Sequence, residues 1–555
     1  MVATNTETGI EENRPYDVTG RSRMTWNVVA SWMGHMVFVV AGFIMPRIID
    51  RHVGQVSLGI WDFGWSLVNY FGLASLGIGS SVNRHVAMYR AANQPDRLRR
   101  MVCSVLMVQA IVAVLVMVLS FLAAWSLPWL FSGRLNSHTS EASWVVVLLG
   151  ATLAVQTVFD TFRGVMTGCH RWDLHNAINS GAYAATAGAM ILALHWGGGL
   201  RSMAAVYLAG TAVGEVIRVI VALRVCQELS LSIAEVSRKE AGKMIVFGSK
   251  TLVSGLAPLI LGQATSIMVA SHLGPAALAV YSRPSNLVRN AQTFLNKFAF
   301  VLTPMAGSLQ GSGQTAELRR FLSETSRFAT FLAVPIVLIL SIYSDMILRI
   351  WMGPRYEYGI ILTIMAAGAF LQLSQQSVLN ILTGLNMHGR ISVISLIAAI
   401  AIFGMGAGVL MFVGWSLTVA AVMIVVPLTI ANGVVIPVFA CRKLNVPILK
   451  YVRRVFVAPI ACGIPFAACL VASRVLLGHR PWLAIISGCA VGTVVLAPLF
   501  WVYMLPERLR ALITEHLTAI VGFLHRGTGS RSVPEQVKAT AAAGARNSVH
   551  GNEAR

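Results

Sequence analysis

The sequence predicts an all-α, polytopic membrane protein of about fourteen transmembrane helices, and three observations predict this fold class. Of the 555 residues, 56 % are hydrophobic and only 12 % are charged, against roughly 25 % charged residues in soluble domains. The apolar residues form runs of about 20 residues, the length that a helix needs to cross the hydrocarbon core. Basic residues are concentrated in the loops after the second and twelfth runs, whereas the loops after the third, fifth and seventh runs carry at most one Lys or Arg each.

Fourteen apolar runs are expected to span the membrane, and the eighth is more polar than the others. No soluble insertion separates them, which leaves no room for an extramembrane catalytic domain. The runs lie near residues 26–46, 57–82, 101–125, 143–166, 174–195, 202–225, 244–270, 276–302, 328–348, 359–383, 391–413, 416–440, 455–473 and 483–504.

The basic loops set the orientation. The loops after the second and twelfth runs carry five Lys or Arg residues each, and the positive-inside rule places both loops in the cytoplasm. An even number of spans then puts both termini on the cytoplasmic side. The net charge of +21 is explained by this topology, so a nucleic-acid partner is not expected.

The two ends of the chain are expected to lie outside the lipid. Residues 1–25 are polar, of mixed charge and a poor fit to a cleavable signal, so the first apolar run is expected to remain as a span. Residues 506–555 are rich in Ala, Gly and Ser and are expected to be a largely disordered cytoplasmic tail. The seven cysteines are scattered and odd in number, which indicates neither a disulfide framework nor a metal site.

An internal duplication divides the spans. A shift of 220 positions places His52, Gly54 and Leu58 on His272, Gly274 and Leu278, and a shift of 216 aligns later positions. Each copy holds an even number of spans, so the copies share one orientation, an arrangement that places a transporter's substrate site between the halves. The predicted parts are an N-lobe (26–225), a cytoplasmic linker (226–243), a C-lobe (244–440) and two added spans (441–505).

Charges inside the spans need partners or water. Asp160 with Arg163 and Glu215 with Arg218 are three residues apart, a spacing that predicts local pairing on one helix face. The eighth run differs, because Arg283, Arg289 and Lys297 have no acid nearby in sequence. At about 100° per residue they share a sector roughly 120° wide with other polar residues, namely Asn286, Asn290 and Thr293.

This polar stripe predicts a water-filled cavity lined by cations, since an ionisable residue at the bilayer centre costs roughly 3 kcal/mol or more. The alternative is that the cations snorkel to the interfaces or pair with acids on other helices, for which Asp62 is the best candidate. Arg289 lies near mid-span, where snorkelling is difficult. Lys250 in the seventh run either adds to the cavity or lies at its cytoplasmic end.

The positions of the second run that correspond to the polar stripe are uncharged, namely Phe63, Ser66, Asn69 and Tyr70, and they are flanked by Trp61, Asp62 and Trp65. Guanidinium groups suit phosphate and carboxylate, whereas amides and aromatic faces suit sugar hydroxyls and rings. Simple packing is the alternative explanation of the aromatics.

Residues 45–100 carry a recognisable pattern: a helix ending in the basic Arg47, a short loop with Gly54, a Leu-Gly-aromatic segment at 58–61, a glycine- and serine-rich run at 72–80 and a basic loop with Arg97–Arg100. The pattern resembles the polysaccharide-exporting flippases of the MOP superfamily, the Wzx type. The resemblance continues more loosely to about residue 440, and its motifs are of moderate specificity.

The resemblance implies a MATE-like pair of six-helix lobes plus two extra helices in the cell inner membrane. It implies translocation of a polyprenyl-pyrophosphate-linked oligosaccharide by alternating access, for exopolysaccharide or O-antigen biosynthesis. Its partners would be this substrate, membrane lipids and other polysaccharide assembly proteins. No bond is made or broken, so neither enzyme activity nor a cofactor is expected. The anionic headgroup then falls to Arg283, Arg289 and Lys297, and sugar contacts fall to Asn69, Asn286 and Asn290.

Two other functions stay open. A MATE-type exporter of drugs or other small molecules would more usually need acids to bind organic cations and would stop at twelve spans. A membrane-embedded polysaccharide polymerase or ligase would be expected to carry a large outer loop, which this sequence lacks.

Overall fold

The computed structural model describes residues 24–75, 78–130, 138–299, 302–504, 510 and 514, without some of the side chains in these ranges. This part of the chain is helical and contains no strand. Of the expected N-terminal segment 1–25, residues 1–23 lie outside the described residues, and so does nearly all of the expected tail 506–555.

The first half of the chain forms α1 (Met24–Phe71), α2 (Ile78–Ala91), α3 (Pro95–Leu130), α4 (Thr139–Gly168), α5 (Trp172–His195) and α6 (Leu200–Val225).

The remaining helices include several that are interrupted rather than ended. They are α7 (Arg238–Leu273), α8 (Pro275–Ala299), α9 (Leu302–Gly311), α10 (Thr315–Ile342), α11 (Ser344–Met352), α12 (Gly359–Ser374), α13 (Gln376–Gly384), α14 (His388–Val413), α15 (Leu417–Leu428), α16 (Ile436–Lys443), α17 (Ile448–Val452), α18 (Ala458–Leu477) and α19 (Pro481–Tyr503). Short π-helical turns at Thr429–Val435 and Arg453–Val457 join α15 to α16 and α17 to α18.

Twelve helices in the described ranges are long and apolar enough to cross a membrane. One of them, Ala30–Ala74, has 45 residues, about 68 Å of helix, roughly twice the thickness of the hydrocarbon core. It is divided by the non-helical Gly54. The polar α8 is not among the twelve. The count is close to the fourteen spans that the sequence predicts, and it reaches fourteen if the long helix is counted as two and α8 is added.

The loops expected around Gly54 and Gly274 are shorter than the hydropathy suggests, because the helices continue to a single glycine at each position. Gly54 has φ 84° and ψ 168°, and Gly274 has φ 89° and ψ 168°. Only glycine adopts this conformation without strain, since it lacks a Cβ. The expected basic loop after the second span is likewise mostly helical, in α2 and the start of α3.

Residues of positive φ recur at matched positions in the two halves. Gly54 pairs with Gly274 and Asn93 with Gly313 at an offset of 220, and His170 pairs with Asn386 at an offset of 216. Helix bounds follow the same offsets: α3 and α4 begin at Pro95 and Thr139, and α10 and α12 begin at Thr315 and Gly359. The backbone therefore repeats as an internal duplication requires.

The halves share a core at one end and have separate cores at the other. One apolar cluster joins α1, the end of α3, the start of α4, α8, α11 and the start of α12. At the opposite end, one cluster lies among α2, α3, α4 and α6, and another among α9, α10, α13 and α16. We call the end with the shared core, which includes Gly54 and Gly274, the closed end.

Two predicted charge pairs are confirmed within the first half. Arg163 lies 2.6 Å from Asp160, and the buried Arg218 lies 2.6 Å from Glu215.

The chain divides into two compact units. The first, Met1–Thr493, holds both halves and the helices to α18, and the second, Val494–Arg555, has as its described residues mainly the last turns of α19.

Candidate functional site: a central cavity between the halves

A cavity of about 720 Å³ lies between the two halves, at mid-length of their helices. Its walls come from both repeats, since α1 and α5 supply one side and α7, α8, α12 and α15 the other. The polar lining residues are Asp62, Ser66, Asn69, Gln263, Ser266, Ser282, Arg283, Ser285, Asn286, Arg289, Gln292 and Gln372. The duplication argument predicted a site between the halves, and the cavity occupies that position.

Helix α8 presents its polar face to this cavity. Pro275 begins the helix, a position where proline's missing N–H costs nothing. Ser282, Asn286 and Arg289 then follow at steps of three or four residues, so they lie above one another on the face that lines the cavity. The stripe read from the sequence therefore faces the space between the halves along this part of the helix.

Arg283 is paired, as the alternative reading of the sequence allowed. Its guanidinium donates a hydrogen bond to Asp62 of α1 and forms an ion pair with it. The Arg283 side chain is 1 % exposed, and the Asp62 side chain is 15 % exposed. The Nε of Arg283 is buried without a partner among the described residues. The positive charge of Arg283 therefore balances the negative charge of Asp62, and it is not free for a ligand in this conformation.

Arg289 forms no ion pair in the described part of the chain, although it lies within electrostatic range of Asp62 and its side chain reaches into the cavity. It donates to the side-chain oxygen of Asn286, and the Thr293 hydroxyl donates to its backbone carbonyl at 2.9 Å. Arg289 is exposed, yet it lines a space between the protein halves. Its guanidinium is thus available to an anion that enters the cavity.

The structure does not bring every predicted site residue to this cavity. Lys297 lies toward the other end of α8, with its Nζ 5.1 Å from the ring centroid of Trp32, a cation–π contact. Asn290 is partly buried on α8 but is not among the lining residues. Lys250 lies on α7, and its side chain is outside the described residues.

The wall formed by the first half is aromatic and amide-bearing. Asn69 and the paired Asp62 lie on it with Trp61 and Trp65. The two indoles meet edge to face at 6.3 Å, and each contacts Tyr207, at 6.0 and 5.6 Å. The aromatics are therefore packed against one another while part of their surface faces the cavity.

Several lining residues were not singled out from the sequence. Gln263 and Ser266 lie one turn apart on α7, and Gln292 of α8 donates to Gln372 of α12 at 3.4 Å. Amides carry no formal charge, so a search for intramembrane charge passes over them. Their helical spacing was the available signal, because Gln263 and Ser266 repeat at three residues inside an apolar run.

The charge of the cavity wall is positive. Its charged residues are one carboxylate, Asp62, and two guanidinium groups, Arg283 and Arg289, which leaves one net positive charge. A cation in a partly desolvated space attracts an anion more strongly than it would in water. The wall can therefore bind an anionic group at Arg289 and polar, hydroxyl-bearing groups at the surrounding amides.

Comparisons with known proteins agree with this architecture. A family model described as "Polysaccharide biosynthesis protein" matches residues 25–310. The chain is 21 % identical over 357 residues to a Shigella flexneri protein named "Putative O-antigen transporter", covering 60 % of this chain and 80 % of that protein.

Two solved structures share the fold. The lipid II flippase MurJ in an inward closed conformation is similar with a TM-score of 0.65 at 9 % identity, over 86 % of this chain and 98 % of that chain. An inward-facing multidrug resistance MATE family transporter of the MOP superfamily is similar with a TM-score of 0.63 at 13 % identity, over 76 % and 98 % of the two chains. The MATE-like fold expected from the sequence is confirmed.

Proposed function

Because the chain belongs to the polysaccharide biosynthesis protein family, we propose that it is a flippase that moves a polyprenyl-pyrophosphate-linked oligosaccharide across the bacterial inner membrane. The observation that carries the proposal is Arg289, a guanidinium that lines a large cavity between the halves and has no acid partner among the described residues. Such a site suits a substrate whose anionic headgroup enters the protein while its lipid tail remains in the bilayer.

The chemistry of the cavity favours a diphosphate. Arginine donates to phosphate oxygens in a planar, bidentate geometry, and such charge-assisted hydrogen bonds are about twice as strong as neutral ones. Asn286 adjoins Arg289 and adds an amide, and Asn69 adds another from the opposite wall. Arg283 is held by Asp62 and acts in this scheme as a second cation that a doubly charged headgroup draws away from its partner.

The distribution of the cores fits alternating access. If the termini are cytoplasmic, as the positive-inside rule predicts, the closed end faces outward and the halves have separate cores toward the cytoplasm. In that orientation the cavity receives its substrate from the cytoplasmic side. Reversing which end holds the shared core would release the substrate outward, without any covalent step.

An exporter of organic cations fits this cavity less well. Such a substrate more usually needs acids in the cavity, and the one carboxylate among the lining residues, Asp62, is already paired with Arg283. The unpaired charge on the wall has the opposite sign. We therefore propose an anionic, glycan-bearing substrate rather than a cationic drug.

The test is deletion of the gene and analysis of lipid-linked oligosaccharides. We expect repeat units linked to the polyprenyl carrier to accumulate on the cytoplasmic side, and surface glycan to fall. The wild-type gene should restore export, and Arg289→Ala should not, although the protein should be present in the membrane in equal amount.

The matched control is Arg355→Ala, which removes an exposed arginine from the loop after α11 and should restore export like the wild type. Full export by Arg289→Ala would contradict the headgroup assignment. Normal glycan export in the deletion strain, in a strain without a second exporter, would contradict the function itself.

A further inference from the structure

Five amide side chains lie along one line between α8 and the helix pair α12–α13, as one hydrogen-bonded pair followed by one hydrogen-bonded group of three. Gln292 donates to Gln372 at 3.4 Å, and the side-chain oxygen of Asn296 accepts from Gln376 at 3.0 Å and from Asn380 at 3.4 Å. We call these five residues the amide ladder. None of them was a predicted site residue.

The ladder leads out of the central cavity. Gln292 and Gln372 line the cavity, and the later members follow at steps of four residues, one helical turn each. From Gln372 to Asn380 the row extends about 12 Å along the helix axis, away from the closed end. Arg289 lies three residues before Gln292 on the same helix, so a cation stands at the cavity end of the row.

The hydrogen-bonding capacity of the ladder is only partly used. Within the described part of the chain, the side-chain nitrogen of Asn296 donates to no protein group, and the side-chain oxygens of Gln376 and Asn380 accept from none. Asn296 is exposed, and Gln376 and Asn380 are half-buried. These groups can therefore donate to and accept from a ligand.

Gln375, next in the chain, shows what a purely structural amide looks like here. It is 2 % exposed, accepts from the Tyr451 hydroxyl at 2.6 Å and donates to Ser374 at 3.3 Å. Its side chain is enclosed and occupied on both sides. Asn296, Gln376 and Asn380 differ in both respects, because none of them is buried and each keeps a side-chain nitrogen or oxygen unpaired among the described residues.

We infer that the amide ladder is a binding track for the glycan part of the substrate, which lies along it while the diphosphate is at Arg289. A sugar hydroxyl both donates and accepts, and so does a carboxamide, which makes an uncharged row of amides suited to neutral sugars. This inference rests on the proposed function. It adds that recognition of the glycan depends on the second half of the chain, on a line of residues that starts in the central cavity and continues beyond it.

The test compares two probes on the purified full-length protein: undecaprenyl diphosphate, and the lipid-linked oligosaccharide extracted from the gene-deleted strain. The wild type should bind the glycosylated probe more tightly. Asn296→Ala and Gln376→Ala should each weaken binding of the glycosylated probe about three- to tenfold, the value of one or two hydrogen bonds. Binding of the bare diphosphate should stay within about twofold of wild type, because neither Asn296 nor Gln376 lines the cavity that contains Arg289.

Two control variants separate this role from a structural one. Gln375→Ala should lower the melting temperature and keep the preference for the glycosylated probe. Gln310→Ala removes an exposed amide from α9 and should change neither property. Ladder variants that weaken both probes equally, or that only lower the melting temperature, would overturn the track.

The outcomes for the wild type distinguish the two levels of the proposal. Equal affinity for the two probes would reject the track and leave the flippase proposal standing. Binding of neither probe would reject the proposed function, and the track with it.

Discussion

Arg283 of α8 donates a hydrogen bond to Asp62 of α1 across 221 positions of sequence and across the boundary between the two halves. The duplication brings the pair together, because position 62 in the first half corresponds to position 282 in the second, one residue before Arg283. Each half thus contributes one member of an ion pair beside the same cavity. The pair neutralises two charges that neither half could hold alone in a membrane.

Breaking this pair should destabilise the protein. Arg283→Gln leaves Asp62 without its hydrogen-bonded counter-charge, and removing one partner of a buried ion pair typically costs about 3–5 kcal/mol. We expect a clearly lower melting temperature of the purified protein in detergent, measured by tryptophan fluorescence.

The double variant Asp62→Asn with Arg283→Gln should recover part of the loss, since no uncompensated charge remains. A double-variant cycle measures the coupling between the two residues. Additive losses would show that the two side chains do not stabilise each other.

Arg289 should behave in the opposite way, because it is exposed to the cavity and has no acid partner among the described residues. Arg289→Gln should leave the melting temperature nearly unchanged and reduce glycan export about tenfold or more, the loss expected for a hydrogen-bonded charge. Arg289→Lys should give intermediate export, because it keeps the charge and loses the planar pair of donors. Export equal to that of the wild type in Arg289→Gln, measured at equal protein level, would contradict a role in substrate binding.

The closed end is held by hydrogen bonds between the halves as well as by apolar contact. The Tyr356 hydroxyl donates to Asp50 at 2.7 Å, and Arg47 donates to the carbonyls of Ile350 and Trp351 at 2.6 and 2.9 Å. Burial first, and then the bond to Asp50, raise the pKa of Tyr356, so its hydroxyl stays protonated at neutral pH. These bonds must break if the closed end opens during transport.

Tyr356→Phe should therefore favour opening of the closed end. One lost hydrogen bond of about 1 kcal/mol corresponds to roughly a fivefold change in population. We expect Ser66→Cys, introduced on the cavity wall of a variant without native cysteines, to react faster with a membrane-impermeant thiol reagent added outside. Tyr358→Phe, which alters an exposed tyrosine two residues away, should have no effect, and an equal increase in both variants would contradict the assignment.

The general architecture could be predicted from the sequence because it depends on hydropathy and repetition, which are local or periodic. The partner of Arg283 could only be proposed, since a pair separated by 221 positions is decided by packing. Lys297 was grouped with Arg289 by helical angle alone, but it lies two turns further along the axis, where Trp32 of α1 is its neighbour. The amide ladder was missed because its members are uncharged and its partners lie 80 positions apart on different helices, so that only packing brings them together.

The equivalence of the two halves can itself be tested at Gly54 and Gly274. Both have a backbone conformation nearly exclusive to glycine, and an added Cβ would meet no atom within 4 Å at either position. Alanine there should act only through backbone strain, which costs of order 1–3 kcal/mol. Gly54→Ala and Gly274→Ala should therefore lower stability by similar amounts in a detergent unfolding assay.

Gly181→Ala in α5, where the added Cβ also has open space, is the control. It should be neutral or stabilise the protein by up to about 1 kcal/mol through helix propensity. A large loss at one turn and none at the other would mean that the two halves depend on their matched glycines differently, despite the shared backbone geometry.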